Sequence, residues 1–146
     1  ISLVDAEGFA IGLAEEQGGI VQSGADLMQT MLQLTVPRIS VIVGKAIGTA
    51  YLVFGAKSCG ADLVYAWPTV ELAFGNPDTA AHIIYRKEIA NAADPISARN
   101  DFVRQYAEEL ASPYIAASLG HVDEVILPSA TRPRLISALD MLTTAY

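Results

Sequence analysis

The chain has 146 residues, 52% hydrophobic and 17% charged, which gives one domain with ample material for a core and excludes long disordered tracts. Its net charge of -7, with basic residues scattered singly or in short groups such as Arg86-Lys87, excludes a nucleic-acid binder, because phosphate contacts need clustered Lys and Arg. The single cysteine, Cys59, rules out an intrachain disulfide framework and points to a reduced thiol in the cytoplasm, and the apolar runs are too short and too interrupted for a membrane span or a signal peptide.

The chain opens on Ile1 rather than Met and inside a strand pattern, so it is expected to be a piece of something larger. Ile1 to Val4 reads as a short buried strand ending at Asp5. Residues 6–19 form a glycine-bearing loop. A helix follows over about residues 20–34, with Gln22, Asp26, Gln29 and Gln33 on its polar side and Ile20, Leu27, Met28, Met31 and Leu32 on the other. Pro37 ends that pattern. Ile39 to Val43 is a continuous β-branched run, suited to a strand covered on both faces. Gly44 and Gly48 are expected to bracket a turn. Thr49 to Ser58, apolar nearly all round, suits a helix in the core, closed by Gly60. Asp62–Ala66 and Thr69–Ala73 read as two further strands separated by Trp67-Pro68.

The second half turns helical. Asn76-Pro77-Asp78, Asp94-Pro95 and Ser112-Pro113 are three helix starts, each a capping side chain followed by proline at the first helical position. Phe102, Val103, Tyr106 and Leu110 share a face of the middle helix, and Gly120 stops the last of the three. Val122–Leu127 is a final strand, and Leu135, Ile136, Leu139 and Leu142 mark a closing helix. Strands alternating with crossover helices make the fold class α/β, in one domain over residues 1–146.

The stretch from Ile39 to Gly60 holds the most chemistry. A strand, a glycine turn and a helix leave the first N–H groups of that helix without an intrahelical acceptor, in the positive end of its dipole. Gly48 lets a ligand approach the backbone. The N–H groups of Thr49 and Ala50 are then a ready pair of donors for a developing oxyanion, although a strand–glycine–helix turn used only for packing fits the same pattern. His82 and His121 lack the neighbours a metal site needs. Glu71 is the carboxylate a hydratase or isomerase would use, and equally a solvated strand position.

Resemblance adds to this. The run VPRISVIVGKAIGTAY at residues 36–51 resembles VPKITVITRKAYGGAY of the carboxyltransferases of biotin-dependent acyl-CoA carboxylases and decarboxylases. In register upstream, Val4-Asp5, Gly8-Phe9, Gly12, Glu16 and Gly18-Gly19-Ile20 fit that family's VDTPGFxxGxxxExGGI. Downstream, Lys57, Gly60-Ala61-Asp62, Ala66-Trp67-Pro68-Thr69, Glu71 and Ala73 are similar to KxxGADxxxAWPTAEIAVM. Residues 83–88 are similar to IIFRKE, residues 112–123 to NPYxAAxxGYVD, and Thr131-Arg132 to ETR.

The resemblance implies a crotonase-like spiral of ββα units, and places this chain in the second, biotin-side half of a two-half unit. It implies transfer of CO₂ between carboxybiotin, carried on a separate carrier domain, and the α-carbon of an acyl-CoA. Thr49 and Ala50 would supply the catalytic amides, and Gly48, Tyr51, Leu52, Trp67, Phe74 and Gly75 would line the biotin and acyl pocket. The implied partners are the N-terminal carboxyltransferase half, the biotin carrier and further copies of the chain, without which no activity is expected. Thr49 replaces a family glycine, Ile47 a tyrosine and Glu7 the proline of PGF, while Leu52 stands where Asp or an aliphatic residue is usual. These departures leave two alternatives open, a crotonase-type hydratase or isomerase half and an assembly domain with a decayed pocket.

Overall fold

The computed structural model describes residues 1–145. Five parallel strands form one sheet: β1 (Ser2–Ala6), β2 (Ile39–Ile47), β3 (Leu63–Ala66), β4 (Glu71–Ala73) and β5 (Glu124–Val125). The helices are α1 (Leu13–Gln17), α2 (Ile20–Leu32), α3 (Gly48–Gly55), α4 (Pro77–Ile84), α5 (Arg86–Asn91), α6 (Pro95–Glu109), α7 (Pro113–Ser118) and α8 (Thr131–Ala145). Single 3-10 turns occupy Lys57–Cys59 and Pro128–Ala130.

β2 organises the sheet because its apolar run is long enough to serve three neighbours. Its first half pairs with β3, from Ile39 opposite Leu63 to Ile42 opposite Ala66. Its second half pairs with β4, from Lys45 opposite Glu71 to Ile47 opposite Ala73. β1 lies along its other edge, and β5 extends the sheet beyond β3. Successive side chains leave a strand on opposite faces, so β2 and β3 feed two cores. Ile42, Val64 and Ala66 pack with Tyr51 of α3 and Ala116 of α7. Val41 and Tyr65 pack with Ala138, Leu135 and Leu139 of α8.

Gly44 is the first correction to the sequence reading. It lies inside β2, not at a turn, and the carboxylate of Asp5 fills the space a side chain there would take. Asp5 Oδ1 accepts the Lys45 N–H at 2.8 Å, and β1 slips register between Val4 and Ala6. The glycine admits a carboxylate that fastens a bulge. The second correction concerns α2, where Gly24 alone is buried, beneath the Phe9 ring. Leu27 and Leu32 of its expected inner face are exposed.

The three start signals hold. Asn76 Oδ1 accepts the Asp78 N–H, Asp94 Oδ1 accepts those of Ile96 and Ser97, and Ser112 Oγ accepts that of Tyr114. Unforeseen is a break at Tyr85 that divides α4 from α5; the Tyr85 ring stacks on Phe102 with centroids 4.4 Å apart, which docks both short helices on α6. α3 is also shorter than expected. Gly55, at φ 128, ends it, and the 3-10 turn follows, closed by Gly60 in the left-handed region as expected. Among the described residues, no helix is long and apolar enough to cross a membrane.

Candidate active site

The site begins where β2 becomes α3. Ile47 is extended, Gly48 turns at φ 63, and the helix starts at once. Glycine is required by that angle. Space is not the reason, since a β-carbon here would meet only the Phe74 carbonyl oxygen, at an ordinary contact distance of 3.4 Å. No side chain caps α3. Helix geometry leaves the N–H groups of Thr49 and Ala50 without an intrahelical partner, and among the described residues no loop carbonyl or side chain accepts from either. The dipole of α3 adds partial positive charge at this point.

A cavity of about 710 Å³ opens beside this turn, within the range of small-molecule sites. Gly48, Thr49, Tyr51 and Leu52 of α3 line one side, Phe74 and Gly75 beyond β4 another. The glycine-rich loop after β1 contributes Gly8, Phe9 and Ile11, and α6 and α7 contribute Tyr106, Leu110, Ile115 and Leu119. The Leu72 N–H donates to the Ala111 carbonyl at 2.9 Å, pinning β4 to the α6–α7 junction and holding two walls together. Ile11 and Phe74 are each 95% exposed, so the rim is apolar and uncovered.

The residues singled out from the sequence separate into three groups. Gly48, Thr49, Tyr51, Leu52, Phe74 and Gly75 share the cavity. Ala50 is buried behind the turn, so it can contribute its amide alone. Trp67 is elsewhere: its indole N–H donates to Thr131 Oγ1 at 2.9 Å and its ring packs on both cores. It does not line the cavity, and its expected place in the pocket is corrected to one in the packing beneath α8. The physical reason is that the indole, just beyond the end of β3, finds a hydroxyl partner there, which satisfies its one polar atom.

Tyr51 differs from an ordinary core phenol. It is 9% exposed, and among the described residues its hydroxyl has no hydrogen-bond partner. Burial, with smaller contributions from Cys59 and Asp123, pushes its pKa up to about 12, so the group remains a neutral donor at neutral pH. Glu71 sits opposite Lys45 on the β2–β4 ladder and away from the cavity. The carboxylate that does reach the cavity, Glu7, is held by the Lys45 ammonium, whose pKa rises chiefly through that hydrogen bond.

Sequence reasoning missed the far walls. Leu110, Ile115 and Leu119 follow helical spacing that reads as ordinary core, and only their exposure beside a cavity distinguishes them. Ser58 and His121, also on the lining, fall inside the patterns quoted above but at positions those patterns do not single out, Ser58 at an unspecified one and His121 where the pattern has tyrosine.

A family model described as a carboxyl transferase domain matches residues 1–146. The chain is 46% identical over 142 residues to the propionyl-CoA carboxylase carboxyltransferase subunit of Haloferax mediterranei, covering 97% of this chain and 28% of that one. It is 42% identical over 144 residues to the methylmalonyl-CoA carboxyltransferase 12S subunit of Propionibacterium freudenreichii subsp. shermanii, covering 99% and 28%. Among solved structures, a transcarboxylase 12S hexamer with methylmalonyl-coenzyme A bound superposes with a TM-score of 0.92 at 43% identity, over 97% of this chain and 27% of that one. The geranyl-CoA carboxylase beta subunit of P. aeruginosa shares the fold alone, at a TM-score of 0.81 and 17% identity. The α/β crotonase-like architecture expected above is thus the observed one. The chain spans 28% of the length of these curated relatives.

Proposed function

This chain belongs to the carboxyl transferase domain family, and from that premise we propose that it is the biotin-side part of an acyl-CoA carboxyltransferase. The observation that carries the reading is the pair of unclaimed amides at Thr49 and Ala50, at a turn whose Gly48 and Thr49 line a roomy cavity. Bound here, biotin on a carrier would supply the carboxyl group to be moved, and the Thr49 and Ala50 amides would hold its ureido oxygen, the atom that becomes more negative when that group is given up. The two amides face such a charge with donors already oriented by the helix, so no reorganisation is needed at the moment of transfer. Gly48 keeps the approach clear, and once a second part of the enzyme closes the open rim, the apolar walls would exclude water and strengthen both hydrogen bonds. The residues present fit the group, since a cyclic urea needs donors at its oxygen and apolar surface under its ring.

The chain's other assignments follow from the same geometry. Leu52, at the cavity wall, gives an acyl group an aliphatic neighbour. The bare rim at Ile11 and Phe74 is where a second part of the enzyme, bringing the acyl-CoA, would close the site. Biotin on its carrier, the N-terminal carboxyltransferase half and further copies of the chain are the partners of this reading. The hydratase alternative is weakened because Glu71 lies away from the cavity.

The test is direct. The isolated chain should bind free biotin weakly and transfer nothing, and addition of the N-terminal half should restore carboxyl exchange between biotin and an acyl-CoA. Robust decarboxylation of malonyl-CoA by the chain alone would contradict the reading, and absence of any saturable biotin binding in the reconstituted enzyme would favour a decayed pocket.

A further inference from the structure

The cavity is long as well as wide. Gly48 and Leu52 lie along its wall at helical spacing, which puts them on one face of α3. At 1.5 Å per residue, α3 carries this wall about 10 Å from Gly48 to Gly55, and Ala56, Lys57 and Ser58 follow beyond its end. A ligand group held at the amides therefore occupies one end only. At the opposite end the lining changes character, from Leu52, Ile115 and Leu119 to Lys57, Ser58 and His121.

Lys57 is fully engaged. Its ammonium donates to the Asp62 carbonyl at 2.9 Å and to both oxygens of Asp123 at 2.6 and 2.7 Å. It has no hydrogen left for a ligand, and Asp123 balances its charge. Ser58 and His121 are different. Both are exposed on the lining, and among the described residues no hydrogen bond engages the Ser58 hydroxyl or the His121 imidazole. Their backbones are nevertheless fixed. The His121 N–H donates to the Ala116 carbonyl at 2.9 Å, and the Cys59 N–H closes the turn under Ser58 on the Ala56 carbonyl at 3.0 Å. Two donors on rigid turns, with an apolar wall between them and a second donor pair, form the pattern of a site built for a ligand with acceptors at both ends.

We propose that Ser58 and His121 form a second polar subsite, which takes the carbonyl or carboxylate oxygen at the tail end of a biotin whose ring lies at the start of α3. The inference rests on the biotin reading and deepens it. The bicyclic ring alone is shorter than the cavity. Its aliphatic tail lies over Leu52 and Ala56 and brings its terminal carbonyl to Ser58 and His121. In free biotin that terminus is a carboxylate, in biotinyl-lysine an amide, and both are acceptors.

Calorimetric titration of the complete protein with three probes tests this: biotin, biotinyl-lysine, and ethyleneurea as the bare cyclic urea. The Ser58→Ala, His121→Phe double variant should weaken both tailed probes by about tenfold, the range for loss of two hydrogen bonds, and leave ethyleneurea unchanged. His121→Gln, which keeps a donor, should restore part of the loss. A greater loss for biotin than for biotinyl-lysine marks the carboxylate as the better ligand; equal losses mark the shared carbonyl. Unchanged affinity of the double variant for both tailed probes would overturn the subsite while leaving the ring site standing. Failure of biotin and ethyleneurea alike to bind the wild-type protein would overturn the biotin reading, and the subsite with it.

Discussion

The carboxylate of Asp5 occupies the place that a side chain on Gly44 would need. One oxygen of that carboxylate accepts the Lys45 N–H, so the pair joins the end of β1 to the middle of β2 at the point where the register slips. Gly44→Ala should therefore destabilise the fold by about 1–3 kcal/mol, the usual cost of overpacking a filled position. Asp5→Ala should cost less, since it frees one backbone donor on an exposed edge. Urea unfolding of the two variants and the wild type would check the order; a Gly44→Ala variant as stable as the wild type would remove the filled-space account.

Gly44 also marks where sequence reading reaches its limit. The strands, the three capped helix starts and the α3 turn were legible because each rests on local chemistry: β-branched runs, side-chain caps, a glycine before a helix. Whether a glycine in a strand marks a turn or admits a distant carboxylate depends on a partner 39 residues away, and no local pattern carries that. The hydrogen bond of Trp67 was hidden for the same reason, because its partner Thr131 is 64 residues away at the start of α8. At the site, the amide pair was legible from the turn. The walls were not, because Leu110, Ile115 and Leu119 acquire meaning only when α6 and α7 fold back toward β4.

Lys57 and Asp123 form the second long-range tie. The carboxylate of Asp123 takes two bonds from Lys57 and one from the Val64 N–H at 2.8 Å, joining the turn after α3 to the edge of β3. Both side chains are about a third exposed, at 33% and 30%, so solvent weakens the ion pair but leaves the backbone bond shielded. Asp123→Ala should cost about 2–3 kcal/mol and Lys57→Met about 1 kcal/mol. A double-mutant cycle in low and high salt would check this, with salt reducing the coupling energy and not the Asp123 single-variant cost attributable to Val64.

The amide pair can be tested by deleting one hydrogen. Proline is tolerated in the first turn of a helix, where its missing N–H breaks no helical bond. Thr49→Pro should therefore leave the fold near its wild-type stability while lowering the transfer rate of the complete enzyme about 100- to 1000-fold, as loss of one oxyanion donor does elsewhere. Thr49→Gly keeps the N–H and should retain activity. A proline variant that unfolds normally and transfers carboxyl groups at the wild-type rate would show that the Thr49 amide takes no part.

Tyr51 gives a prediction in pH. Its phenol titrates near 10 in an unfolded chain and at about 12 in the fold. The folded value is the higher one, so the native state holds the proton more tightly than the unfolded state does. Below pH 10 both states are protonated and stability is independent of this group. Between pH 10 and 12 the unfolded chain loses the proton first, and stability falls by up to about 3 kcal/mol, at 1.36 kcal/mol per unit. Tyr51→Phe removes the titration. It also removes a buried hydroxyl that has no partner among the described residues, so at neutral pH it should be neutral or stabilising by about 1 kcal/mol. Unfolding free energies measured from pH 8 to pH 12 should therefore show the two proteins diverging with rising pH, the phenylalanine variant remaining the more stable. Parallel curves would mean that the phenol is solvated in the native state and that the cavity floor is wetter than its packing indicates.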